Sequence, residues 1–164
     1  MSLRRRAALP AVLLLALAAL TSAAAFGHSS EAGRANRDCA RDFDRTVQRY
    51  VDTTQQRDAR GFASVLDRDV VVVFRPGDVL YGKRQTMDLI RDFFATPGWT
   101  QTFRVITRTV RDCRTAFVLF DSVYTEPGSE PLPLVIGVSF TRSGERWLAV
   151  HNQDSQGPAN PPNP

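Results

Sequence analysis

The second half of the chain leaves little choice of architecture. Residues 102–110 alternate, with Phe103, Val105 and Thr107 opposing Arg104, Ile106 and Arg108, which is the period of a strand with two distinct faces. Strand-like runs come next at 115–124, 132–141 and 146–154. What separates them is short: a hairpin turn at Asp112-Cys113-Arg114, a Pro/Gly loop over 126–131 and a turn at Ser143-Gly144-Glu145. Strands joined this tightly pair antiparallel, because a parallel partner needs a crossover of a dozen residues or more.

The segment before this meander reads as helices around one hairpin. Cys39, Phe43, Val47, Tyr50, Val51 and Thr54 recur at helical spacing on one face, while Arg41, Arg45, Arg49 and Asp52 fall mostly off it. Asp58 is placed to cap a second, short helix that buries Phe62, Val65 and Leu66. Residues 70–74 are too apolar for a half-exposed strand, Arg75-Pro76-Gly77-Asp78 turns the chain, and residues 79–81 return it. Gly82 breaks the pattern, Met87, Ile90, Phe93 and Phe94 stripe a third helix, and Pro97-Gly98 stops it. Three helices and then a long meander predict an α+β fold: a cone-shaped, curved antiparallel sheet packed against three N-terminal helices. The mouth of such a cone is a natural place for a small ligand.

The ends read differently. Arg4, Arg5 and Arg6 precede an apolar run from Ala7 to Leu20, and Ala23-Ala24-Ala25 offers a small-residue cleavage site before Phe26. Residues 1–25 are therefore expected to be a secretory signal peptide, 26–37 a linker, 38–155 the folded domain and 156–164 a disordered tail. The expected location is secreted or extracytoplasmic, with no stable membrane anchor once the signal is cleaved. The adjacent arginines leave both general and twin-arginine export open. Removing 25 of the 164 residues leaves 139, which suits one domain with one core. It also removes three of the 21 basic residues and none of the 17 acidic ones, so the net charge of +4 belongs to the precursor and is not the footprint of a nucleic-acid partner.

Two cysteines remain, Cys39 and Cys113. An oxidising compartment favours a bridge between them, and two buried thiols are the alternative. Nothing in their spacing suggests a metal, and no cofactor is expected.

The stretches "VQRYV…RDARGFASVLDRDVVVVF", "GKRQTMDLIRDFF" and "GERWLAVHNQDS" resemble the nuclear transport factor 2-like superfamily, and within it the SnoaL-like, ketosteroid-isomerase-like and kinase-hub-like small domains. The resemblance covers about residues 38–155. It implies the cone fold, pairing of two copies through the outer sheet face, and no single chemistry, since the superfamily holds isomerases, dehydratases, cyclases, epoxide hydrolases and binding or oligomerising domains. The ketosteroid isomerases carry a catalytic tyrosine in a Gln-Arg-Tyr context like that of Tyr50. Their general base falls at Phe74, their second acid falls in 134–141 where no acid occurs, and their tyrosine in the third helix becomes Phe94. A phenol without a base does not move a proton between carbons, so steroid isomerisation is not expected. The kinase hub's anion-holding arginines fall at Leu119, Val138 and Asp154, which disfavours an anionic ligand. In the last strand both relatives imply that Leu148, Val150, Asn152 and Asp154 face the pocket and that Trp147, His151 and Gln153 face away.

Each candidate carries a plain and a functional reading. Tyr50 is a core tyrosine or a pocket donor. Asp154 is a rim residue or a pocket acid whose apolar neighbours raise its pKa. Asp121, on parity with Leu119 and Val123, faces the pocket unless a bulge turns it out. Tyr50, Asp121 and Asp154 are thus the catalytic candidates. Phe74, Phe94, Leu119, Val138 and Phe140 are expected as pocket walls, Tyr81 and Trp99 as a lip or ordinary packing, and Asn152 as an orienting amide. His151 belongs to the outer face, and Arg104 and Arg108 to one strand face as solvated charge or dimer contacts. Three functions are open: a secreted binding domain for a small, mostly apolar molecule; a cofactor-independent acid–base enzyme of the cyclase, dehydratase or isomerase type; or a non-catalytic dimerisation or interaction module. The expected partners are a small molecule and a second copy of the chain.

Overall fold

A computed structural model describes residues 22–75 and 77–157. Residues 1–21 of the expected signal peptide and 158–164 of the expected tail lie outside the described residues. The chain divides into two units, Met1–Ala35 and Asn36–Pro164, and the second holds the sheet and the core. Helix α1 spans Ser22–Gln55, so the stretch 26–37 expected as a linker has helical backbone. Then come α2 (Ala59–Ser64), β1 (Leu66–Val73), β2 (Val79–Tyr81), α3 (Gly82–Ala95), β3 (Thr100–Arg111), β4 (Thr115–Thr125), β5 (Leu132–Ser143) and β6 (Arg146–Gln156).

The six strands form one curved sheet in the order β2-β1-β6-β5-β4-β3. The meander is antiparallel as expected, but β1 lies parallel to β6, so the sheet is mixed at that junction. The parallel pair is a result of chain order. The long first connection, through β2 and α3, carries the chain across the sheet before the meander returns to β1.

One face of α1 supplies Cys39, Phe43, Val47, Tyr50 and Thr54, all buried. The inner sheet face answers with Val118 and Phe120 of β4, Val138 and Phe140 of β5 and Trp147 and Ala149 of β6. Phe43 meets Phe140 and Trp147 edge-on, with ring centroids 5.2 Å and 5.5 Å away. Asp58 caps α2 by accepting from the Gly61 amide at 2.9 Å. Glycine is required at 61 by close approach, since a Cβ would sit 2.6 Å from Thr53 Cγ2.

Besides a register shift in β1 between Leu66 and Val71, two bulges in the meander decide which of its side chains face inward. In β3, Val105 pairs with Phe120 and Thr107 with Leu119, leaving Ile106 as the extra residue. In β6, Phe140 pairs with Ala149 and Ser139 with His151, leaving Val150 as the extra residue. The β3 bulge separates the two arginines expected on one face: Arg104 pairs with Asp121 on the outer face, and Arg108 reaches Asp44 of α1. The β6 bulge overturns the single parity expected along that strand. Trp147 and Ala149 face the core before it, and Asn152 and Asp154 face inward after it. Trp147 is therefore a core residue at 2 % exposure and not part of the outer face.

Cys39 and Cys113 are bridged, with Cα atoms 5.7 Å apart. Cys113 sits in the β3–β4 turn, where Asp112 and Cys113 both take positive φ (49° and 55°) and Arg114 N–H bonds to the Arg111 carbonyl at 2.9 Å. That geometry ordinarily selects Asn-Gly, so the turn is held against its local preference by the sheet and by the bridge. The bridge closes a 74-residue separation, worth about 4 kcal/mol on the chain-entropy account. Replacing both cysteines by serine is expected to lower unfolding free energy by about 2–4 kcal/mol. Urea titration of the variant, and of the wild type with and without reductant, checks this; equal midpoints would refute it.

Candidate functional site

The dry packing around Phe43 does not continue to the far end of α1. Two turns on, Tyr50 stacks on Phe120 with ring centroids 6.0 Å apart and planes 11° from parallel, and leans on Phe62 at 5.2 Å. Its hydroxyl accepts a hydrogen bond from Asn152 Nδ2 at 2.7 Å. As an acceptor there, the phenol keeps its own proton to donate. Beyond this pair opens a cavity of about 510 Å3, of the size that holds a small molecule. Its walls are mostly apolar, with Phe62 from α2, Phe74 from the turn after β1, Ile90 and Phe94 from α3, and Leu134 and Ile136 from β5.

Asn152 and Asp154 of β6 join Tyr50 in this wall, and Asp92 of α3, Gln101 of β3, Glu126 and Arg75 add polar groups from other elements. Asn152 is 7 % exposed, and its Oδ1 has no hydrogen-bond partner among the described residues. Asp154, two residues on and on the same face, pairs in the ladder with Ile136 and lines the cavity. Burial without a compensating cation pushes its carboxyl up to about 6. Burial also raises the Tyr50 phenol, and the nearby Asp154 charge raises it further. At the rim Tyr124 donates to Glu126 Oε1 at 2.5 Å; partial burial and then that carboxylate raise the Tyr124 phenol. Gln101 Nε2 donates to Ser122 Oγ at 3.0 Å, and Arg75 donates to Gln156 Oε1 at 2.9 Å.

Of the residues singled out from the sequence, Tyr50, Phe74, Phe94, Asn152 and Asp154 line the cavity together. Asp121 does not. It is on the outer face of β4, opposite in parity to the buried Phe120 and Ser122, and Arg104 holds it at 2.8 Å. Leu119 shares that outer face, so the parity that placed both in the pocket is reversed. Val138 and Phe140 face inward but lie in the dry core. Trp99 is buried behind the wall, stacked on Phe93 at 4.4 Å with its Nε1 donating to the Phe93 carbonyl, and Tyr81 is 69 % exposed away from the cavity. Gln101, Phe103, Tyr124, Glu126, Asp92 and Arg75 were not anticipated as lining. Tyr124 was recoverable, since it shares the parity of Phe120; the others depend on how strand ends and loops fold over the mouth. Among the described residues no three His, Cys, Asp or Glu side chains group as a metal site.

The Asp154 environment sets a pH dependence. The folded domain keeps that proton to about pH 6, whereas the unfolded chain releases it near 3.8. Between those values the folded state binds more protons, so stability falls as pH rises through the window. Asp154→Asn is expected to remove this fall and to stabilise the domain near neutral pH by up to about 3 kcal/mol. Denaturant midpoints at several pH values check it; an asparagine variant no more stable than wild type near neutral pH would contradict it.

The family model described as "SnoaL-like domain" matches residues 44–159. No curated protein matches the chain. Among solved structures, an uncharacterised protein with a cystatin-like fold from Caulobacter vibrioides is 14 % identical with a TM-score of 0.66, over 74 % of this chain and 92 % of that one. A ketosteroid isomerase-like protein from Erwinia carotovora is 15 % identical with a TM-score of 0.61, over 70 % and 94 %. A nuclear transport factor 2-like protein of unknown function from Pseudomonas putida is 16 % identical with a TM-score of 0.60, over 69 % and 82 %. Likeness at these identities establishes the cone fold, and the family match covers most of the chain: the protein belongs to the SnoaL-like domain family.

Proposed function

We propose that this is an exported domain that binds a small, mostly apolar molecule in the cone, with Tyr50, Asn152 and Asp154 fixing its orientation. The observation that carries the reading is the cavity itself: about 510 Å3, walled largely by aromatic and aliphatic side chains, with the buried Tyr50 and Asn152 and the neighbouring Asp154 set into the wall from α1 and β6. Such a division, apolar surface for affinity and a few directed polar groups for specificity, is what small-molecule sites share. Native mass spectrometry of the mature chain with a panel of apolar ligands tests it. Ligand mass is expected to be retained by wild type and lost in Ile136→Trp, which fills the cavity. Tyr50→Phe is expected to weaken binding by about 0.5–1.5 kcal/mol. No retained ligand, or retention equal in Ile136→Trp, would sink the reading.

One observation favours a second reading, a cofactor-independent acid–base enzyme. Asp154, with its carboxyl pushed up to about 6, shares the cavity with the Tyr50 phenol. Asp154 would take a proton from carbon beside a carbonyl while Tyr50 donates a hydrogen bond to the oxygen that gains charge. Phe74 lines the cavity where the isomerase resemblance would require an aspartate, so the substrate would not be a steroid of that type. The two readings part at Asp154→Asn, which ends turnover in an enzyme.

Export rests on the sequence of residues 1–25 and is supported by the Cys39–Cys113 bridge. Pairing of two copies rests on the outer sheet face, where Phe117 and Leu119 are half-buried and Ile106 and Val123 are exposed. The exported product is expected to begin at Phe26 and to scatter light at twice its own chain mass. Export with Met1 retained would refute the cleavage, and the single-chain mass would refute the pairing.

A further inference from the structure

The ionisable groups that face the cavity are unbalanced. Asp154 comes from β6, Glu126 from the loop after β4, Asp92 from α3 and Arg75 from the turn after β1. Helix α1 contributes the Tyr50 phenol and the Thr54 hydroxyl and β4 the Tyr124 phenol, while β3 contributes Gln101 and Phe103, and β5 contributes Leu132, Leu134 and Ile136. Three carboxyl groups thus stand against one guanidinium, which already donates to Gln156. None of the ion pairs among the described residues involves Asp154. Independently, Asn152 Oδ1 is an acceptor without a donor, on a side chain more than nine-tenths buried that lines the same cavity. A buried acceptor left unpaired is costly, and a ligand that brings a donor removes that cost.

We propose that the cavity takes a lipophilic amine: an apolar body carrying one protonated nitrogen, held between the Asp154 carboxylate and Asn152 Oδ1. This rests on reading the cavity as a small-molecule site and names the ligand's chemical class. A ligand carboxylate or phosphate would meet Asp154, Glu126 and Asp92 as like charges. A ketone would find the Tyr50 proton but leave Asn152 Oδ1 unpaired. An ammonium group offers donors to both acceptors at once, and charge-assisted bonds of this kind are the stronger sort. The phenyl walls, Phe62, Phe74 and Phe94, suit the apolar body. Because Asp154 ionises at about 6 and an alkylamine stays protonated well above neutrality, the preference for amine strengthens as pH rises through that value.

The test is calorimetric titration of the mature wild-type chain with phenethylamine, 2-phenylethanol, phenylacetone and phenylacetate, four probes of similar size and different head group. Near neutral pH the amine is expected to bind about tenfold or more tighter than the alcohol, with phenylacetate weakest. That ratio is expected to shrink when the pH is taken below the Asp154 value, and to fall to near unity in Asp154→Asn. If the alcohol or ketone binds as tightly as the amine, or phenylacetate binds tightest, the amine assignment is wrong while the small-molecule reading stands. If none of the four binds at millimolar concentration, the amine assignment fails for this size class, and retention of larger apolar ligands by mass spectrometry then decides the small-molecule reading separately. An amine preference unchanged in Asp154→Asn also overturns the assignment.

Discussion

The hydrogen bond from Asn152 to Tyr50 is the seam of the molecule. On one side of it Phe43, Phe140, Trp147 and Val118 pack dry, as any small α+β core does. On the other side the same helix and the same sheet diverge around a cavity. A phenol and an amide are the side chains suited to that seam. Each presents an apolar or flat body to the core and a polar tip to the cavity, and each would be expensive to bury alone. Pairing them lets α1 and β6 stay in register where apolar packing gives out. Thr54, one turn further along α1, turns its hydroxyl back to the Tyr50 carbonyl at 2.8 Å, so the last helical side chain facing the cavity does not add a loose donor.

The charges elsewhere behave unlike those at the seam. Asp121 with Arg104, Asp44 with Arg108 and Asp42 with Arg142 are all paired at the surface or near it. Such pairs contribute little and cost little. Asp154 differs from these: it is half-buried, with burial raising its carboxyl and no ion pair among the described residues. A fold does not gain from a carboxyl so placed. Its presence beside a buried amide and a buried phenol is the physical reason to read that patch as a site.

The helical face of α1, the Asp58 cap, the three helices and the meander were legible in the sequence, because each rests on local periodicity or a local hydrogen bond. Tyr50, Phe74, Phe94, Asn152 and Asp154 came from the resemblance to the isomerase-like and kinase-hub-like domains, and all five line the cavity. What misled was parity. Alternation fixes which residues share a face only while the pairing is unbroken, and no glycine or other local mark of a bulge stands at Ile106 or Val150. On β6 the core asks for Trp147 and the cavity for Asn152, five residues on and so of opposite parity, and only a bulge between them meets both. On β4 the strand is regular across this region, and the error was simply the choice of face for Leu119 and Asp121. Tertiary packing makes that choice, and no local signal announces it.

The extra residue in β6 also gives the strand a reserve of length. Elsewhere in the sheet, loss of one codon from a regular strand turns every side chain beyond it to the wrong face. Between Trp147 and Asn152 the outcome is different. Dropping Val150 leaves a regular ladder in which Trp147, Ala149, Asn152 and Asp154 all still point inward. What such a deletion alters is bend, because the bulge supplies part of the strand's curvature. A shorter lineage would thus keep the phenol, the amide and the acid while flattening the wall that carries two of them. The width of the cavity would then change through gain or loss of one residue, with its polar groups held constant.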